Sequence, residues 1–536
     1  MRFLFLCDII KTKTVGKIRE HYVNRKNGDT KMFDLLIKNA SIIDGTGAEP
    51  FIGDVAVKNG KIKKIGKIDD YAERMIDAEG LTLTPGWIDS HSHSDRTFFS
   101  FPDQREKIEQ GITFSITGQC GGSAAPLIRE DGTVETVGQY FERLSSVPQG
   151  SGAALLVGHN SVRKAVMRTE KRAPTLEELD KMKALVEDAM KKGAIGLSLG
   201  LYYVPGCYAE IDEVIELGRV VAKYNGIIAS HIRNENDGLI EATKEFIDII
   251  KATGCRAVFS HHKAMDKNNW GKVKTTLEMI DKANSEGADI YVDVYPYIAS
   301  STSMTSRFLP SQFHPSMTTS VIELLKDEDI CNRAKAWGRA KWGNDLSWVI
   351  ITVCGGHPEY SGKTVNEIAE MKGQTDRFDT VFDIMREGNG LSNICTFMMC
   401  EDDVEYVMKH PRAMLCTDAA VRTSNTYCHP RMIGSFPRIL GRYVRERRVT
   451  SLPEMIRKMT SLPAKVYGLS SKGIIAEGYD ADICIFDADR IIDTADFINF
   501  DLPNKGIEYV VIDGKIVCEK GKYNGVRAAE VLRIEK

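Results

Sequence analysis

Eight short apolar runs recur through the middle of the chain, at 82–88, 113–117, 153–157, 194–199, 227–229, 257–260, 290–294 and 413–416, each followed by a helical stretch. Runs this short and this continuously apolar are strands buried on both faces, and strand–helix alternation makes their sheet parallel. Eight of them predict a closed (β/α)8 barrel. The clearest helix lies between the third and fourth runs. Thr175 and Glu178 form a capping box, helical periodicity continues to Lys192, and Gly193 ends it. The stretch at about 300–410, before the last run, is too long for one crossover and predicts an insertion.

The two chain ends carry a different signal. Phe33-Asp34-Leu35-Leu36-Ile37 and Asp54-Val55-Ala56-Val57 lead through Asn59-Gly60 into Ile62-Lys63-Lys64-Ile65, and 482–486 and 509–517 repeat the pattern. Asn-Gly between alternating strands specifies a tight hairpin. The expectation is one small β-sandwich domain built from 32–84 and 465–536, flanking a barrel at 85–464. A chain of 536 residues is long enough for both. Residues 1–31 open with an apolar run that Asp8 breaks short of signal-peptide length, with no small-residue cleavage site behind it. They are expected to be a disordered extension, or an artefact of start-site choice, outside the fold.

A net charge of -3 creates no long-range field that would recruit nucleic acid or an anionic membrane. No apolar run approaches the roughly 20 residues that span a bilayer. The 12 cysteines, scattered from Cys7 to Cys518, read as reduced thiols of a cytoplasmic protein rather than a disulfide framework.

The polar residues are more informative than the apolar ones. Five runs end in groups that bind metals or move protons: Asp89-Ser90-His91-Ser92-His93, Gln119-Cys120, Ser230-His231, Ser260-His261-His262-Lys263 and Thr417-Asp418. The strand C-termini of such a barrel open on one face, so residues from position 91 to position 418 converge there. His91 and His93, two apart, would share a strand face. Imidazole and thiolate donors favour zinc over hard cations. His262, adjacent to His261, would point away from the metal. A non-catalytic zinc-binding protein is the weaker alternative, because structural sites are closed by neighbouring Cys and His pairs rather than by distant strand ends beside a carboxylate.

The segment Pro85-Gly86-Trp87-Ile88-Asp89-Ser90-His91-Ser92-His93 resembles the first-strand signature of the amidohydrolase superfamily. Ile42-Ile43-Asp44-Gly45 and 473–482 resemble its small β domain. Thr117-Gly118-Gln119-Cys120-Gly121, Ser260-His261-His262-Lys263, Asp293-Val294-Tyr295-Pro296-Tyr297 and His429-Pro430-Arg431 are similar to the N-acyl-D-amino-acid deacylases. The resemblance runs from Phe33 to the C-terminus. It implies zinc-dependent hydrolysis of a small-molecule N-acyl-D-amino acid to a carboxylate and a free D-amino acid. Cys120, His231 and His261 would hold a tight zinc, and His91 and His93 a second, weaker metal position. Asp418 would be the general base and acid, and Lys263, Tyr295 and Arg431 would hold the substrate carboxylate. The alternative within the superfamily is a cyclic-amide hydrolase of the hydantoinase or dihydroorotase kind, which carries a metal-bridging lysine at the end of the fourth strand. That strand here ends Leu197-Ser198-Leu199-Gly200, without one. The sequence departs from the deacylases in Ala419-Ala420 after Asp418, where glycine is usual, and in Ser94-Asp95, where two acids are common. Both changes bear on substrate preference more than on the reaction.

Overall fold

The computed structural model describes residues 20–21, 32–310, 313, 320–422 and 427–534. The expectation for 1–31 therefore lies outside the described residues, except that Glu20–His21 pairs with Ala72–Asp77.

Eight parallel strands form the barrel: β1 (Trp87–Asp89), β2 (Ile112–Thr117), β3 (Gly152–Gly158), β4 (Gly196–Gly200), β5 (Ile227–His231), β6 (Arg256–Phe259), β7 (Ile290–Val294) and β8 (Ala413–Leu415). They follow one another in sequence order around the sheet. The edges meet where Ser90 N donates to Leu415 O at 3.3 Å, Asp418 N to His91 O at 2.9 Å and His93 N to Ala419 O at 3.2 Å. Apolar strands buried on both faces explain why almost every strand residue is inaccessible. The helix expected after Thr175 spans Leu176–Lys191, with the reciprocal Thr175–Glu178 capping bonds in place.

The first apolar run is not one strand, which corrects the expectation for 82–88. Thr82–Pro85 pairs with Phe33–Ile42 and Ile483–Phe486 in the sheet made from the chain ends, whereas Trp87–Asp89 belongs to the barrel. Pro85 has no N–H to donate, and the chain changes sheets directly after it.

The sheet from the two ends packs Leu35, Val55, Ile76, Ile483, Tyr509 and Val511 into one core, with Leu36, Ala56, Ile68 and Ala72 in a smaller second cluster. Asn59 and Gly60 turn one of its hairpins at φ 52° and 71°, Asp513 and Gly514 a second at 48° and 73°, and Lys520 and Gly521 the last at 51° and 73°. The chain end then leaves this sheet for the barrel, where Ala529 N donates to Gln149 O and Ile534 N to Gly193 O.

Between β7 and β8, Ala299–Ser303, Val349–Val353 and Asn393–Phe397 form an antiparallel sheet. It packs with helices Glu328–Trp342 and Arg377–Glu387 around a separate core that includes Met304, Phe308, Phe378 and Phe382. This insertion carries Ser300, Ser301, Thr302 and Arg307 to the same cavity as the barrel's polar strand ends.

Candidate active site

Three residues just past strand ends adopt left-handed backbone: Cys120 at φ 53°, His261 at φ 38° and Asp418 at φ 48°. Each such non-glycine conformation costs roughly 1–3 kcal/mol and persists only where the surroundings over-determine it. Carboxylates from neighbouring strands and their loops supply that constraint. Asp95 Oδ1 accepts Gly118 N at 3.3 Å and its Oδ2 accepts Ala124 N at 2.7 Å, bracketing Cys120. Asp293 Oδ1 accepts His261 N, and Asp89 Oδ1 accepts Thr417 N at 2.9 Å, next to Asp418. Asp89 is itself neutralised by fully buried Lys107, 2.7 Å away.

The turns aim two donor groups at neighbouring points. Cys120, His231 and His261 each bring a ligand atom within 4.8 Å of the others, as do His91, His93, Cys120 and Asp418. Cys120 Sγ is shared by the two groups and lies 3.3 Å from both His91 Nε2 and His261 Nε2. His93 Nε2 is 3.1 Å from Asp418 Oδ1. His91 and His93 lie beyond the end of β1, so rim bonds rather than strand alternation bring them together. His262 turns away, as expected, with Nε2 2.9 Å from Thr276 Oγ1 and its ring against Phe259.

Burial pushes the Cys120 thiol up, but the charges of His91 and His261 bring it well below the ordinary thiol value. Burial lowers His231 and favours its neutral, donor-ready form. Both His231 ring nitrogens are buried without a hydrogen-bond partner. Buried polar atoms are nearly always satisfied, so these orphans fit a cation, and the Cys/His donors suit zinc.

The end of β4 closes against this centre. Ser198 Oγ accepts Gly121 N at 3.1 Å, and a Cβ at Gly200 would stand 2.1 Å from Cys120 O. The cysteine turn thus fills the space that a β4 lysine would need.

A family model described as the amidohydrolase family matches residues 74–518. D-aminoacylase of Alcaligenes xylosoxydans xylosoxydans is 33% identical, over 94% of this chain and 98% of that protein. An N-acyl-D-glutamate deacylase of the same organism is 34% identical, over 90% and 93%. The crystal structure of N-acyl-D-glutamate deacylase from Bordetella bronchiseptica is 35% identical with a TM-score of 0.82, covering 94% of this chain and 100% of that one. That structure contains zinc and a phosphonate inhibitor mimicking the tetrahedral intermediate of its reaction. The chain belongs to the amidohydrolase family, on its D-aminoacylase branch.

In this amidohydrolase the remaining expected residues line one cavity of about 170 Å³ together with Cys120, His231 and His261. Arg431 Nη1 is 2.7 Å from Asp418 Oδ2 and its guanidinium lies 4.9 Å from the Tyr295 ring centroid. Burial raises the Asp418 carboxyl, but Arg431 and His93 hold it well below the usual carboxylate range. Lys263 is more committed than expected. Its ammonium donates to Glu235 and to His261 O at 2.8 Å, and lies 2.7 Å from His261 Nδ1.

Sequence reasoning missed Glu235, whose Oε1 is 3.1 Å from His261 Nδ1. A histidine that ligates through Nε2 carries its proton on Nδ1 and can donate it to this carboxylate, which competes for Nδ1 with the Lys263 ammonium 2.7 Å away. Burial raises Glu235 while Lys263 and two imidazoles hold it well below the ordinary value, so it is ionised. Asp293, with Oδ2 3.5 Å from His91 Nδ1, was also missed as a functional group. Its signal was an acid inside an otherwise apolar, fully buried strand.

Proposed function

We infer that this amidohydrolase cleaves the amide bond of N-acyl-D-amino acids with zinc, releasing a carboxylate and a free D-amino acid. The observation that carries the reading is the pair of donor groups sharing Cys120, with both ring nitrogens of buried His231 lacking a hydrogen-bond partner and Nε2 3.5 Å from Glu235 Oε2. In this reading Cys120, His231 and His261 hold the tight zinc, and His91 and His93 serve a second, weaker position beside Asp418. Zinc bound there would supply Lewis acidity, polarising the amide carbonyl and easing deprotonation of water.

The chain's own residues account for the rest. Asp418 Oδ1, ionised and facing the donor groups, takes the proton of the attacking water. It returns that proton to the leaving nitrogen as the C–N bond breaks. Arg431 has one nitrogen on Asp418 and the remainder of its fork for the substrate α-carboxylate, which Tyr295 helps to seat. Lys263, tied to Glu235, adds positive charge from behind and steadies His261. The β4 end supports a linear rather than a cyclic amide substrate, since it has no room for a bridging lysine.

No helix among the described residues is long and apolar enough to cross a membrane. We also infer a reducing, cytoplasmic setting, supported by the unpaired state of every described cysteine.

The test is Asp418→Asn, assayed on N-acetyl D- and L-amino acids with metal analysis of the same sample. Turnover of the D-substrates is expected to fall by about 10²–10⁴-fold, the usual contribution of a general base, while zinc is retained. Unchanged turnover in that variant removes Asp418 from the mechanism. Wild-type turnover of hydantoins alone replaces the substrate class.

A further inference from the structure

The carbonyl of fully buried Ser90, directly before His91, accepts two side-chain hydrogen bonds, from Gln119 Nε2 at 3.2 Å and from Tyr467 Oη at 3.1 Å. Side chains thus take both lone pairs of this oxygen. Gln119 directly precedes Cys120, so one donor ties the histidine turn to the cysteine turn. The other comes from beyond the eight strands. Tyr467 ends the helix Ser461–Tyr467, which follows the barrel in sequence and precedes the returning strand Ile483–Phe486. Its buried ring joins the cluster of Ile88, Ile116, Leu156 and Val258, which alternate along the strands with residues that face the helices, such as Leu155 and Phe259. The hydroxyl therefore reaches the catalytic rim through the inside of the barrel.

His91 has reason to depend on that carbonyl. His261 has Glu235 and Lys263 at Nδ1, whereas His91 Nδ1 is buried without a hydrogen-bond partner and stands 3.5 Å from Asp293 Oδ2. A ligating imidazole is ordinarily oriented by an outer hydrogen bond at its free nitrogen. With none there, more of the ring's direction rests on its backbone. The two bonds to Ser90 O hold that backbone from one side, and Asp418 N, donating to His91 O at 2.9 Å, holds it from the other. Burial and the Asp293 charge push the Tyr467 hydroxyl above its ordinary value, so it stays a donor.

We propose that Tyr467 is a positioning residue for the second metal position, fixing His91 against Cys120 through the Ser90 carbonyl that it shares with Gln119. This rests on the two-position reading above, in which His91 and His93 serve the weaker metal beside Asp418. His91 Nε2 is 3.3 Å from Cys120 Sγ. Zinc bonds of about 2.0 Å to nitrogen and 2.3 Å to sulfur leave little tolerance in that separation. Tyr467 is not among the residues that line the catalytic cavity, so it acts through the carbonyl and not on the substrate.

Metal-free wild type and Tyr467→Phe are titrated with zinc by calorimetry, with metal analysis after dialysis. Wild type is expected to bind one tight and one weaker equivalent. Tyr467→Phe should leave the first unchanged and weaken the second about tenfold, the lower end of what outer supports of metal ligands contribute. The metal-free variant should unfold within about two degrees of wild type, since one hydroxyl is removed and the ring remains. Gln119→Leu, which removes the other donor, should weaken the second equivalent more than the first, and carries the test if Tyr467→Phe does not fold. The double variant should lose more than the product of the two single losses, because only then is the buried carbonyl bare. A second equivalent bound as in wild type by either single variant, both equivalents weakened alike in Tyr467→Phe, or single losses that only multiply each overturns the proposal and leaves the deacylase reading standing. A wild type that takes up one equivalent alone ends the second position in that reading, and the role of Tyr467 with it.

Discussion

At two turns of the sheet made from the chain ends, positive φ falls on Asn59 and Gly60 and on Asp513 and Gly514; at the barrel rim it falls on Cys120, His261 and Asp418. The backbone conformation is the same and its cause is not. A two-residue hairpin needs it, and Asn, Asp and Gly are the residues that adopt it at least cost, so each turn is explained by its own sequence and flanking strands. At the rim no local rule asks for it. The conformation is imposed by Asp293 on His261 N, by Asp89 beside Asp418 and by Asp95 around Cys120. Its effect is to point a thiol, an imidazole and a carboxylate toward neighbouring ligand positions. Local strain in one region is turn chemistry, and in the other it is held from a distance for function.

The largest test of that contrast removes the shared donor. Cys120→Ala is expected to abolish tight metal binding and reduce turnover by about three powers of ten or more, since metal assistance is worth several kcal/mol, while the fold survives. Metal analysis and circular dichroism on one preparation check it. Full metal occupancy in this variant would make the rim geometry incidental. Next comes the scaffold behind the rim. Lys107→Met leaves Asp89 charged and buried between β1 and β8, and should destabilise the protein by about 3–5 kcal/mol in a urea melt. A loss below about 1 kcal/mol, as for an exposed pair, would mean that Asp89 does not organise the closure.

The same contrast explains what was legible in the sequence. Periodicity revealed the barrel because eight strands buried on both faces must be apolar throughout, and the hairpins because Asn-Gly is a local instruction. The candidate metal donors were legible by type, since His and Cys at strand ends stand out in a chain with 11 histidines. Glu235, Asp293 and the Asp89–Lys107 pair were not, because acids number 74 and what sets these apart is their contacts with residues of neighbouring strands and loops. The insertion's side of the cavity was hidden for a related reason, since no sequence period announces the strand pairing that brings it there. The boundary expected at 84/85 lies within one residue or two of the change of sheet, but 82–88 was read as a single run because its apolar residues continue through Gly86.

The smallest predicted effect separates the two kinds of positive φ most cleanly. At Gly60, φ is 71° and an added Cβ would stand 2.1 Å from Asp513 Oδ1, where the two hairpin turns touch. Gly60→Ala therefore combines a left-handed alanine with a collision that the Asp513 side chain relieves by rotating away. The expected cost is about 1–2 kcal/mol of stability, read as a lower urea midpoint. Because Gly60 makes no contact with the catalytic rim and its conformation is a local matter, kcat/KM and metal content should remain at wild-type values. If Gly60→Ala instead lowered turnover without loosening the fold, strain in the terminal sheet would be coupled to the rim, and the distinction between locally and remotely imposed backbone would fail.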